Sequence, residues 1–146
     1  MQRMTADEYR RFMDARKTER DIQREIVAYL QAVGYVEPRV VVNLEKCVGH
    51  ELGWKDLEGL GILGLRLVYG GSRRSADYQG TMQTTGIPDL EICPLWGHIW
   101  LKMEIKSIKG KLTPEQEIAL RPSGIVVRSV EHVKTAVETI EKSRPK

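Results

Sequence analysis

Ile99, Leu101, Met103 and Ile105 alternate with Trp100, Lys102, Glu104 and Lys106. A period of two belongs to a strand, whose successive side chains project to opposite faces. The run therefore predicts a strand that buries one face. It also puts a carboxylate and an ammonium, Glu104 and Lys106, side by side on the other. Just upstream, Leu90 and Ile92 face one way and Asp89 and Glu91 the other, and Pro94 to Gly97 marks a turn between the two runs.

The rest of the chain supplies material to cover such a sheet. Thr5-Ala6-Asp7-Glu8 has the form of a capping box and predicts a polar helix to about Arg16. Thr18 is a second start signal. Ile22, Ile26, Tyr29, Leu30 and Val33 then recur at helical spacing up to Gly34, a stop. Val36 to Leu44 is β-branched and reads as a strand after Pro38. Leu65 to Tyr69 reads as another. Thr113 and Pro114 start a short helix with Gln116 three residues past the cap, Gly124 to Arg128 is a short strand, and Val130 to about Ile140 is a final helix with Val133, Val137 and Ile140 as its stripe. The tract from Val48 to Gly80 holds most of the glycines and shows little period beyond the Leu65 run. Gly70 to Ser75, with Arg73 and Arg74, reads as a basic loop. The order fits one α/β domain around a mixed sheet flanked by helices, preceded by a helical extension over 1–17.

At 146 residues the chain suffices for one domain with a core, and its 41% apolar and 29% charged content is that of ordinary globular proteins. No apolar run reaches membrane-spanning length, and the first residues lack the apolar segment of a secretory signal, so a cytoplasmic setting without a membrane partner is the expectation. A formal charge of +3 permits nucleic-acid binding without demonstrating it. Two cysteines make no disulfide framework. Cys47 and His50, with Cys93 and His98, supply four zinc-type donors at loose spacing, but Cys93 sits in an apolar run and reads as core.

Three short elements stand in a fixed order: Gly86-Ile87-Pro88-Asp89-Leu90, then Glu104-Ile105-Lys106, then Leu112-Thr113-Pro114-Glu115-Gln116. Together they resemble the PD-(D/E)xK nucleases and, within them, the virus-type replication-repair nuclease (VRR-Nuc) family. That family's pattern is a G-x-PD element, an E-V/I-K strand and an L-S/T-P-E-Q helix start. The resemblance covers residues 18 to about 135 and implies a restriction-endonuclease-like core over 18–146. Family members also carry a helix acid within E-x-x-I-Q, matched here by Glu19-Arg20-Asp21-Ile22-Gln23, with Glu25 a less favoured substitute.

The resemblance assigns roles. Asp89, Glu104 and the Ile105 carbonyl would hold Mg2+ or Mn2+, because hard cations take oxygen ligands and activate water for phosphodiester hydrolysis. Lys106 would position the attacking water or stabilise the phosphate as a point charge. Glu19 and Gln116 complete the implied catalytic set. Stand-alone viral members of the family suggest a homodimer acting on branched DNA such as Holliday junctions, in the host cytoplasm. Arg73, Arg74, Lys109 and Lys111 are candidate phosphate contacts, and Trp96 and Trp100 could stack on bases or cap the core. Taken singly, a Pro-Asp dipeptide is a turn, a Glu-x-Lys strand a solvated face, and Thr-Pro-Glu-Gln a good helix start. Their order on the predicted elements favours the nuclease. The alternatives are a sequence-specific or mismatch endonuclease of the same core, a catalytically silent DNA-binding module, and a zinc-stabilised binding domain.

Overall fold

The computed structural model describes residues 3–69, 89–97, 99–121 and 124–145. Its centre is a five-stranded mixed sheet in the order β1 (Tyr35–Val36), β2 (Gly64–Val68), β3 (Leu90–Pro94), β4 (Leu101–Ile105), β5 (Ile125–Val127). β1 runs parallel to β2 and β4 parallel to β5, while β3 is antiparallel to both its neighbours. The helices are α1 (Ala6–Arg16), α2 (Glu19–Val33), α3 (Pro38–Val48), α4 (Trp54–Gly59), α5 (Pro114–Ala119) and α6 (Val130–Lys142). No helix among the described residues is long and apolar enough to cross a membrane.

The α2 helix starts and stops where its sequence directs. Thr18 caps it, forming a reciprocal capping box with Asp21, and Gly34 ends it at φ 103°, a left-handed conformation that glycine adopts without a Cβ penalty. Its stripe of Ile22, Ile26 and Leu30 is fully buried, together with Leu90 and Ile92 of β3, Met103 and Ile105 of β4, Val127 of β5, and Val133 and Val137 of α6. Burying each such side chain contributes about 1.5–3 kcal/mol, so α2 and α6 are held to this face chiefly by area. The alternation in β3 and β4 is thus realised: their apolar residues meet α2 and α6, and Glu104 and Lys106 belong to the opposite face.

One element departs from the sequence reading, and a second, the predicted Leu65 strand, forms with an unexpected interior. The segment from Val36 to Leu44 is not a strand beyond Val36, since Pro38–Val48 is helical. Pro38 at the first turn and Gly49 at φ 86° after the last are helix punctuation. Val40 and Val42 are exposed and gain nothing from the pleated partner that β-branched residues favour. In β2 the two leucines are not the deepest residues. Gly64 and Arg66 face the interior instead, and Arg66 donates from Nη1 to the Tyr35 carbonyl. Gly64 is required there: a Cβ would lie 2.3 Å from the Tyr35 ring.

Candidate functional site

Asp89, Glu104 and Lys106 converge at one end of the β3–β4 pair. Leu90 is paired with Met103 in antiparallel register, so one step further along the same register sets Asp89 opposite Glu104. The Asp89 backbone is tied to the far side of the sheet by its carbonyl, which accepts from the Tyr69 amide at 2.8 Å. Its side chain takes over where the ladder stops, with Oδ2 accepting from the Ile105 amide at 2.9 Å. An extended residue points its amide and carbonyl to the same side, so the Ile105 carbonyl is also directed toward Asp89.

Glu104 is only 3% exposed. Burial raises its pKa, and repulsion from Asp89 adds to the shift while Lys106 opposes it; the result is about 8. A side-chain hydrogen bond with Asp89 acts in the same direction, so at neutral pH the metal-free Glu104 is held largely protonated.

Gln116 reaches this pair from α5. Thr113 caps α5 through a capping box: its hydroxyl accepts from the Gln116 amide, and Gln116 Oε1 accepts from the Thr113 amide at 2.9 Å. With its oxygen so committed, the side-chain NH2 donates to Glu104 Oε1 at 2.6 Å. The sequence that starts the helix thus also aims the amide.

Lys106 is 8% exposed. Its amide bonds the Val127 carbonyl of β5 at 3.0 Å, and its Nζ lies 3.9 Å from Glu19 Oε1. Glu19, the first residue of α2, therefore stands beside Lys106. Glu25 does not: it pairs with Lys17 at 2.7 Å. Gly110 closes this corner, since a Cβ there would sit 3.3 Å from Lys106 Cδ and 3.4 Å from Glu19 Oε1.

Asp89, Glu104, Ile105, Lys106, Gln116 and Glu19 are thereby linked in one connected set. Lys109 and Lys111 are exposed on either side of Gly110, at its margin. Arg73 and Arg74 lie outside the described residues. So do Pro88 and His98. Among the described residues no three His, Cys, Asp or Glu side chains form a ready metal-ligand group. Glu19 contacts Lys106 and is not part of a three-acid cluster with Asp89 and Glu104. Cys47 is exposed near the end of α3 and Cys93 is buried in β3, so with His50 they do not assemble the zinc set considered from spacing. Trp96 is half-buried against Ile62, Leu63 and Leu95, in keeping with a core-capping role.

The donor set suits a hard divalent cation. Magnesium is commonly held by only one or two protein carboxylates, with water and phosphate oxygens completing its shell. Asp89 and Glu104 are adjacent, and a cation bound there would supply the charge that lets the buried Glu104 ionise beside Asp89. Sequence reasoning missed Arg128. Its Nη1 donates to the carbonyls of Ser107, Ile108 and Gly110, at 2.6, 3.3 and 2.7 Å, and so holds the turn that follows Lys106. A lone arginine after a short strand carries no signal of that role.

No family model, no curated protein and no solved structure matches this chain.

Proposed function

We propose that the protein is a metal-dependent endodeoxyribonuclease with a restriction-endonuclease-like core, hydrolysing phosphodiester bonds with Mg2+ or Mn2+. The observation that carries this reading is the half-buried Asp89 set against the buried Glu104, with the buried Lys106 beside them. Asp89, Glu104 and the Ile105 carbonyl would hold the cation. When bound, it would acidify a water and carry charge on the phosphate.

The chain's own groups do the rest. Glu104 would release its proton to solvent as the cation is taken up. Gln116 keeps Glu104 oriented through its 2.6 Å bond. Lys106 brings a positive charge that is nearly withdrawn from solvent, where it acts more strongly on an anionic transition state than it would in water. Glu19 positions Lys106.

The preference for branched DNA such as Holliday junctions, and a homodimer making paired cuts, are carried by the family resemblance alone. Cleavage of four-way junctions, forks, flaps and linear duplexes with magnesium, manganese or EDTA tests the reading. Equal cutting of linear duplex at one sequence or at mismatches would shift it to the alternative endonucleases. A second reading is a catalytically silent DNA-binding module, favoured by one observation: in the metal-free state Glu104 is already satisfied by Gln116 and by its own proton. DNA binding by clean protein with no metal-stimulated cleavage on any substrate would establish it.

A further inference from the structure

Arg128, which holds the Gly110 carbonyl, also lines an open cavity of about 250 Å³ together with Lys17, Glu25, Ile108, Ser129 and His132. We propose that this cavity is a phosphate subsite, which seats a backbone phosphate of the nucleic acid next to the one at the Asp89–Glu104 pair. This rests on the nucleic-acid reading above.

Four observations carry it. First, its one acid is already neutralised: Glu25 pairs with Lys17 at 2.7 Å, so Arg128 leaves the lining net positive. Second, Nη1 of Arg128 makes all three bonds to the Ser107–Gly110 turn, so the hydrogens on its Nε and Nη2 are not spent on them. Guanidinium offers such a fork to phosphate oxygens. Third, His132 Nδ1 accepts from the Arg128 amide at 2.9 Å, which leaves the imidazole proton on Nε2 as a donor. Fourth, Ser129 is the N-cap residue of α6, yet its hydroxyl makes no capping bond and remains a donor at the cavity wall.

The cavity is also in the right place. Gly110 links it to the acidic site: the Gly110 carbonyl is held by the cavity-lining Arg128, and a Cβ on Gly110 would meet Lys106 and Glu19. Lys17 lies two residues before Glu19. A chain of phosphates passing Lys106 would meet this cavity next. Phosphate contacts of this kind hold register without reading sequence.

Ser129→Asp and Ser129→Asn separate charge from structure. Both are good N-cap residues, so both proteins should match or exceed the wild-type melting temperature. Binding of linear and branched duplex is measured by titration in EDTA, where cleavage does not intervene. The Asp variant should bind at least about tenfold more weakly at low salt, because a carboxylate there faces a phosphate, while the Asn variant should stay within about threefold of wild type. Inorganic phosphate, followed at the His132 imidazole by NMR, should shift its signals in wild type and not in the Asp variant, and should compete with DNA.

Folded Ser129→Asp that binds duplex as tightly as wild type would overturn the proposal. Phosphate that shifts His132 without competing with DNA would overturn the backbone assignment and leave a free-anion site. The nuclease reading stands apart from these outcomes. It fails if wild type binds DNA and does not cut it with metal, and the contrast between the two variants would survive that result.

Discussion

Gln116 donates to Glu104 at 2.6 Å through an amide whose oxygen Thr113 has already engaged. The capping box of α5 and the candidate metal site are therefore one hydrogen-bonded unit. Thr113→Ala should cost about 1 kcal/mol of stability by loss of the cap. Gln116→Ala, which removes the amide that orients Glu104, should in addition weaken magnesium binding by about tenfold, whereas the backbone amide that holds Gln116 Oε1 survives in Thr113→Ala. Calorimetric titration with magnesium beside a thermal melt checks both. A purely structural cap would lower the melting temperature and leave metal affinity unchanged.

Asp89→Asn and Glu104→Gln each remove one carboxylate from the pair. Either should reduce metal-dependent cleavage by about a hundredfold or more while the fold persists. Glu104→Gln should not destabilise the metal-free protein at pH 8, since a neutral amide replaces a buried carboxylate that is costly to ionise. Single-turnover cleavage and circular dichroism on each variant suffice, and near-normal turnover in either would sink the site assignment.

The raised pKa of Glu104 has a signed consequence. In the unfolded chain the carboxyl titrates near its ordinary value of 4.5, and in the folded metal-free protein at about 8. Between these values the native state binds more protons than the unfolded one, so stability falls as pH rises through that window. Above pH 8 the loss is complete. Metal binding displaces the same proton, so magnesium affinity should increase from pH 6 to pH 8 by up to about tenfold per unit and then level off. Glu104→Gln should abolish this slope in denaturant melts. An unchanged slope in that variant would assign the proton elsewhere.

Lys106→Ala should act on rate more than on binding. A charge on the transition state appears in turnover, where its loss should cost about 10²–10³-fold, whereas one phosphate contact among several changes duplex affinity little. Glu19→Gln should lower turnover by freeing Lys106, and Glu25→Gln should do so less, since Glu25 pairs with Lys17 instead. Measured single-turnover rates and equilibrium affinities separate the two effects, and the reverse ranking of the two glutamates would move the helix role to Glu25.

Much of this arrangement is legible in the order of the residues. The Ile99-to-Ile105 alternation and the α2 stripe are local periodicities, and the strand and helix they predict are present, with Met103, Ile105, Ile22, Ile26 and Leu30 buried, while Ile99 lies before the strand and is exposed. Thr18, Gly34, Thr113 and Pro114 act within one turn of themselves, so helix ends are readable too. The Val36-to-Leu44 run misleads because β-branched residues favour strands only where a pleated partner receives them, and none does here. There Pro38 and Gly49 are the better guides.

By itself the chain determined which residues could carry chemistry and which strand face Glu104 and Lys106 would share, because both follow from residue type and a period of two. Only the tertiary structure decided what those residues meet. The β3–β4 register sets Asp89 against Glu104, and burial with that neighbour holds the Glu104 pKa at about 8. The crossing of α2 over the sheet brings Glu19, not Glu25, to Lys106. Arg128 reaches back 18 residues to the Gly110 carbonyl. Such relations join groups distant in the chain through packing, and no local pattern records a contact whose partner lies elsewhere.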